Sequence, residues 1–154
     1  GGGLVIHILK DSPETVKEIS SFILQPQSEI DKVRRYLNEH GYRIVEERMV
    51  EESGKFYPMM RAVHGKEEAY EEYEYLYGKR LLEKKDPVLG RYLQREQNIR
   101  ESILEQLQRH KNSATARERE KEVQEEWRKI RQALAHYEAK QEVTDEVPGN
   151  HREH

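Results

Sequence analysis

The residues best placed for chemistry lie in two short loops, Gly1-Gly2 and Gln25-Pro26-Gln27. Each reads as a loop after a strand, and in an open α/β sheet ligands bind beyond the carboxyl ends of the strands. Glycine lets a backbone approach a ligand closely. A glutamine amide accepts a hydrogen bond at one atom and donates at another without carrying charge. No competing centre stands out. His7, His40, His64, His110 and His136 are scattered one per element, His151 and His154 fall in the tail, and no His/Asp/Glu group has metal-ligand spacing. The sequence has no nucleophile elbow, no Walker loop and no complete G-x-G-x-x-G.

A second set of candidates is electrostatic. Lys79, Arg80, Lys84, Lys85, Arg91 and Arg95 form the densest basic stretch, with Tyr77 and Tyr92 beside it. Phosphate binding by such a cluster would be salt-sensitive. The stretch reads equally well as a solvated helix face, and Glu83 and Asp86 inside it weaken its field. Lys55 is either a phosphate contact or an ordinary solvated lysine.

Several elements must position these groups. Leu4–Lys10 reads as a short helix after a glycine turn, and Ser12-Pro13-Glu14 as a helix start. Phe22-Ile23-Leu24 reads as a short buried strand, stopped at Gln25-Pro26 because proline cannot donate to a ladder. Ser28 is the expected cap of the next helix, with Glu29 and Asp31 in its first turn and Ile30, Val33 and Leu37 as its buried stripe. Gly41 fits the left-handed stop after it. Two strand-like runs follow, Tyr42–Val50 and Phe56–His64, with Glu51–Lys55 as the turn between them. Strands alternating with amphipathic helices point to a parallel sheet, and the terminal hairpin to one antiparallel edge strand.

From Lys66 onward the pattern is helical. Tyr70, Tyr73 and Tyr77 fall on one helical face, a spacing that favours packing over a base-stacking platform. Gly78 interrupts, Leu81-Leu82 follow, and Asp86-Pro87 open a long helix whose apolar walk is Leu89, Tyr92, Ile99 and Ile103, widened by Leu93 and Leu107. After a loop at Lys111–Thr115, Val123, Trp127, Ile130, Leu134 and Tyr137 step by heptad spacing. Two such helices read as an antiparallel hairpin, able to pair within or between chains. Glu142 onward has no periodicity and is expected to be a disordered tail. The expected domains are therefore 1–65, 66–140 and a tail over 141–154.

Composition bounds the class. The chain has 154 residues, 27 Lys+Arg against 30 Asp+Glu, a net charge of −3, 37% charged and 34% hydrophobic residues. The apolar share is below the globular norm of roughly 45–50%, which implies solvated helix or disorder in part of the chain. No window approaches 18 uncharged apolar residues, so no membrane span is expected. The absence of cysteine excludes disulfides and thiolate metal sites and is compatible with a reducing cytosol.

Five segments, in order and spacing, resemble one family. Gly1-Gly2-Gly3-Leu4-Val5-x-x-Ile8-Leu9 resembles the end of a "GMGG-x-LI-x-x-IL" segment, and Ile23-Leu24-Gln25-Pro26-Gln27 resembles "LILQPN". Val33-Arg34-x-Tyr36-Leu37-x-x-x-Gly41-Tyr42-x-Ile44 is similar to "LR-x-WL-x-x-NGY-x-I". Glu51 or Glu52 through Lys55-x-Tyr57 is similar to "E-x-x-K-x-YEI", and Tyr77-Gly78-x-x-Leu81-Leu82 to "GP-x-LL". These segments belong to the bacterial tRNA (adenine-22-N1)-methyltransferases. Gln27 stands where the family usually has Asn, Pro58 replaces the Glu of "YEI", and Lys79 replaces the Pro of "GP".

The resemblance implies an α/β fold: the second half of a class I methyltransferase Rossmann-like sheet, followed by an antiparallel helical hairpin (a coiled coil) that grips tRNA. It implies S-adenosylmethionine as methyl donor, with Gly1 and Gly2 at the cofactor and Gln25, Pro26 and Gln27 at the reacting base. tRNA would be held by Lys55, Tyr57, Lys79, Arg80, Lys84, Lys85, Arg91 and Arg95. It further implies that the chain starts after the fourth strand, without the first cofactor motifs, and would bind cofactor poorly alone. Two other readings stay open: a non-catalytic coiled-coil interaction module, and another Rossmann-like enzyme, such as a dehydrogenase, with a helical appendage.

Overall fold

The computed structural model describes residues 2, 3, 6, 10, 19–110 and 112–151, with the backbone alone from 139 onward. Its elements are β1 (Ser21–Leu24), α1 (Ile30–Glu39), β2 (Tyr42–Glu52), β3 (Lys55–His64), α2 (Glu72–Tyr77), α3 (Lys79–Glu83), α4 (Pro87–Gln108) and α5 (Ala114–His151). Most of the helix expected over Leu4–Lys10, the helix start at Ser12-Pro13-Glu14, and Gly1 lie outside the described residues.

The sheet is three-stranded in the order β1-β3-β2, and both pairings are antiparallel. This corrects the parallel sheet expected from strand–helix alternation. Ser53 and Gly54 take φ of 52° and 78°, the left-handed pair that a two-residue hairpin turn demands. The chain therefore folds straight back, and β3 occupies the place beside β2. β1 then pairs with the other edge of β3. β1 and β2 do run the same way, but β3 lies between them.

The core of this part is one cluster: Val33 and Leu37 from α1, Tyr42 and Ile44 from β2, and Met60 and Ala62 from β3. Val33 and Leu37 are the expected stripe. Gly41 adopts φ 82° after α1, as its position after the last apolar residue required. The expected cap differs. Glu29, at φ 51°, is the residue that enters α1, without a side-chain cap bond. The Ser28 carbonyl instead accepts from the Gly2 N–H at 2.8 Å.

A register shift at Val45 changes which side chains face this core. Ile44 pairs with Ala62 and Glu46 with Arg61, so Val45 is the extra residue of a bulge. Tyr42 and Ile44 face inward before the bulge and Glu47 after it. Continued alternation would have turned Glu46 inward instead.

Residues 65–71 are irregular, not helical as expected from Lys66. Tyr70 leaves the helical stripe because its ring stacks on Tyr75 at 5.0 Å and its N–H donates to the Tyr75 hydroxyl at 3.2 Å. Burial pushes the Tyr70 phenol well above its usual range. The compact units are Gly1–Leu89 and Gly90–His154. The expected boundary at residue 65 is thus displaced, because 66–89 is tied to the sheet by side chains described below.

In the second unit, Arg131 Nη1 donates to Gln97 at 3.0 Å, Arg100 Nε to Glu126 at 3.0 Å and Trp127 Nε1 to Glu101 at 3.1 Å. A turn further along α4, from Gln97 to Arg100 and Glu101, the partner drops from Arg131 to Glu126 and Trp127, so α4 and α5 run in opposite directions. A Cβ on Gly90 would sit 3.1 Å from the Tyr137 ring, which explains a glycine inside α4. Leu93, Val123, Ile130, Ala133 and Leu134 are buried, but Ile99 is 42% exposed. The seam therefore departs from the Leu89–Tyr92–Ile99–Ile103 walk, because polar residues at 97, 100 and 101 meet α5. α5 continues to His151, where a disordered tail was expected. Gln141 and Glu142 are good helix formers, and a helix already nucleated extends at low cost.

Candidate functional site

Leu24–Met60 is the last pair between β1 and β3. Gln25 is followed by Pro26, which has no N–H for the ladder, so the chain turns away while β3 still has Lys55–Met59 to run. A cavity of about 230 Å³ opens in that gap, lined by Gln25 and Gln27, by Val50 and Glu52 from the end of β2, and by Tyr57, Pro58 and Met59 from the start of β3. It lies at the carboxyl ends of β1 and β2, where ligands bind in open α/β sheets.

The lining is chemically simple. Gln25 and Gln27 are exposed, Pro26 is buried beneath them, and Tyr57 is half-buried. Among the described residues, neither glutamine amide has a hydrogen-bond partner, so both are free for a ligand. Val50, Tyr57, Pro58 and Met59 offer apolar and aromatic faces suited to a flat ring. Among the described residues no cation lines the cavity, and Glu52 brings one carboxylate.

Gly2, expected in a loop, is helical, and it reaches the chain just after Gln27. Its N–H bonds Ser28, and a Cβ on it would stand 2.3 Å from the Ser28 carbonyl and 2.9 Å from Val33. The glycine is required there by contact with the chain that follows Gln27. A side chain at Gly2 would also meet the Glu29 carbonyl, at 2.8 Å. Gly1 lies outside the described residues.

The electrostatic candidates divide. Lys55 is exposed at the hairpin end and Tyr57 is in the cavity wall. Lys79 lies 5.2 Å from the Tyr70 ring centroid. Arg80 is committed to structure: its Nε donates to the Ile44 carbonyl at 2.9 Å, and its guanidinium pairs with Glu83 at 2.9 Å and with Glu67. Lys84 donates to the Glu47 carbonyl, and Lys85 takes φ 52°. Arg91 and Arg95, in the second unit, are exposed, with Arg95 near Tyr92 and Glu96.

The sequence pattern did not mark the buried ion pair of the first unit. Arg34 Nε meets Glu47 Oε2 at 2.9 Å, with side-chain exposures of 2% and 0%. Arg34 Nη1 also donates to the carbonyls of Tyr75 and Leu76 at 2.8 and 3.1 Å, and the Arg80 N–H donates to Glu47 at 3.2 Å. This pair holds α2 and α3 to the sheet. Gly78, at φ 99°, passes so close that a Cβ would lie 2.9 Å from both partners. Arg34 and Gly78 each stood in a family-like segment; only the bulge at Val45 could have linked them to Glu47.

A family model described as tRNA (adenine(22)-N(1))-methyltransferase matches residues 1–132. The chain belongs to that family. It is 26% identical over 141 residues to the tRNA (adenine(22)-N(1))-methyltransferase of Bacillus subtilis (strain 168), a match covering 88% of this chain and 59% of the relative. It is similar to the crystal structure of Streptococcus pneumoniae Sp1610, described as a candidate tRNA (m1A22) methyltransferase. That match has TM-score 0.75 and 27% identity over 87% of this chain and 58% of the other. The same Streptococcus pneumoniae protein in complex with S-adenosyl-L-methionine matches with TM-score 0.70 and 26% identity, covering 87% and 56%. A Streptococcus agalactiae protein of the NADB-Rossmann superfamily matches in fold, with TM-score 0.70 and 22% identity over 87% and 56%. The chain thus spans less than two thirds of the length of these relatives, and its fold is Rossmann-like α/β. Among the described residues, no helix is long and apolar enough to cross a membrane, and no group of three or more His, Asp or Glu is placed to hold a metal ion.

Proposed function

We propose that the protein carrying this chain is an enzyme that methylates N1 of an adenine, at position 22, in tRNA. The observation that carries this reading is the cavity at the strand ends, uncharged but for Glu52 and lined by two unspent amides, in a chain of this family. S-adenosylmethionine, when bound, supplies an electrophilic methyl group. N1 of neutral adenine already has a lone pair, so no strong base is needed. The task of the protein is orientation. Gln25 and Gln27 accept from the exocyclic amine and hold the ring, Tyr57 and Pro58 supply an apolar wall, and buried Pro26 fixes the turn. N1 lies on the pairing edge, so the base is exposed or flipped before it reacts. α4 and α5 act as an antiparallel coiled-coil hairpin that grips tRNA, with Arg91 and Arg95 contacting phosphates.

The test is a methylation assay of the complete gene product on tRNA, with the modified base located. Gln25→Ala is expected to lower the single-turnover rate about tenfold to hundredfold while tRNA affinity changes less than about threefold. Unchanged turnover would remove Gln25 from the mechanism, and methylation at another atom would overturn the assignment.

A further inference from the structure

Methylation at N1 moves charge as well as a methyl group. The N1 lone pair forms the new N–CH3 bond as the S–CH3 bond breaks, and the S–CH3 electron pair returns to sulfur. The positive charge leaves the sulfonium and appears on the adenine ring. No proton is lost in that step; the alkylated ring stays cationic until its exocyclic amine gives up a proton. A site that stabilises the transition state more than the bound substrate needs a negative group beside the base, not beside the sulfur.

Among the described residues, Glu52 is the one charged residue lining the cavity. It ends β2, opposite Lys55 in the hairpin register, and Lys55 does not line the cavity. Among the described residues the Glu52 carboxylate has no ion pair or hydrogen-bond partner, whereas Glu46 and Glu47 of the same strand are paired with Arg61 and Arg34. It lines the same cavity as Tyr57, Pro58 and the two glutamines.

We infer that Glu52 is the group that stabilises the cation developing on adenine, and that it makes the site prefer the methylated base. This rests on the adenine-N1 reading above. Gln25 and Gln27 recognise the neutral ring, and Glu52 recognises the charge the ring acquires.

The experiment uses the complete gene product, its Glu52→Gln and Glu52→Asp variants, and two tRNAs, one unmodified and one carrying N1-methyladenine at the target position. Glu52→Gln is expected to slow single-turnover methylation about tenfold, the order expected for one carboxylate near a unit charge at a protein surface. Affinity for unmodified tRNA stays the same. Without methyl donor present, the ratio of affinities for methylated over unmodified tRNA falls by a similar factor, and Glu52→Asp keeps part of both effects. Glu52 is exposed, so an unchanged thermal midpoint excludes misfolding. If Glu52→Gln turns over like the parent, or slows without losing preference for the methylated tRNA, the charge role is overturned while the N1 assignment stands. If the parent itself does not methylate N1 of adenine in any tRNA, the functional reading fails and this inference fails with it.

Discussion

Gly54 and Gly78 both sit at positive φ, 78° and 99°, yet for different reasons. Nothing lies within 4 Å of a Cβ on Gly54, so its glycine answers only to the backbone. Gly54→Ala should cost about 1 kcal/mol, the ordinary penalty for a side chain in the left-handed region. At Gly78 the added Cβ meets Arg34 Nη2 and Glu47 Oε2, both at 2.9 Å. Neither group is the loose end of a surface chain, because Arg34 is also held by two carbonyls and Glu47 by the Arg80 N–H. Gly78→Ala should therefore cost about 3 kcal/mol or more, from backbone strain and a displaced buried pair together. Urea unfolding of the two variants measures the difference. Equal costs would mean that the ion pair can shift aside. Gly78 was visible in the sequence as an interruption between two apolar runs, but its crowding was not, because both partners come from distant segments.

The elements differ in how far the sequence specified them, and the reason is local chemistry against tertiary choice. Where one residue decides, the pattern is readable: Pro26 ends β1, Gly41 ends α1, and Asp86 Oδ2 accepts from the Leu89 N–H at 2.9 Å to open α4. Where a distant partner decides, it is not. Tyr70 has helical spacing from Tyr73 and Tyr77 but is claimed by Tyr75. Ile99 fits a heptad walk but is exposed, because Gln97, Arg100 and Glu101 find partners on α5. The order of the strands in the sheet depends on a hairpin that inserts β3 beside β1, which strand–helix alternation does not encode. The bulge at Val45 is the sharpest case, since one extra residue decides which of two adjacent glutamates enters the core. Substitution tests that register. Glu47→Leu strands the buried Arg34 charge and should cost about 3–5 kcal/mol. Glu46→Leu breaks only the exposed pair with Arg61 and should leave stability nearly unchanged. Comparable losses in chemical denaturation would mean that the bulge does not fix the inner face.

At the scale of the whole molecule the proposed function asks how a chain of net charge −3 would hold a polyanion. Net charge is a poor guide, because many cations are already paired within the fold. Arg80 is the clearest example: it lies in the densest basic stretch of the sequence, yet the Ile44 carbonyl, Glu67 and Glu83 take its donors. Its charge is largely cancelled before any RNA arrives. Arg91 is exposed on α4, where solvent screens the contacts it makes, and it is the stronger candidate for a phosphate contact. The two roles separate in the salt dependence of tRNA binding, because only a group that displaces counterions enters the slope. Arg91→Ala should lower the slope of log affinity against log salt by about 0.7–0.9, weaken binding at low salt, and leave stability nearly unchanged. Arg80→Ala should leave that slope in place and instead lower stability by about 1–3 kcal/mol, as its acceptors lose a charged donor. Binding isotherms at several salt concentrations, read beside thermal unfolding of the same variants, decide the matter. A slope that falls with Arg80 and not with Arg91 would reverse the assignment, and would mean that tRNA outcompetes Glu67 and Glu83 for the guanidinium.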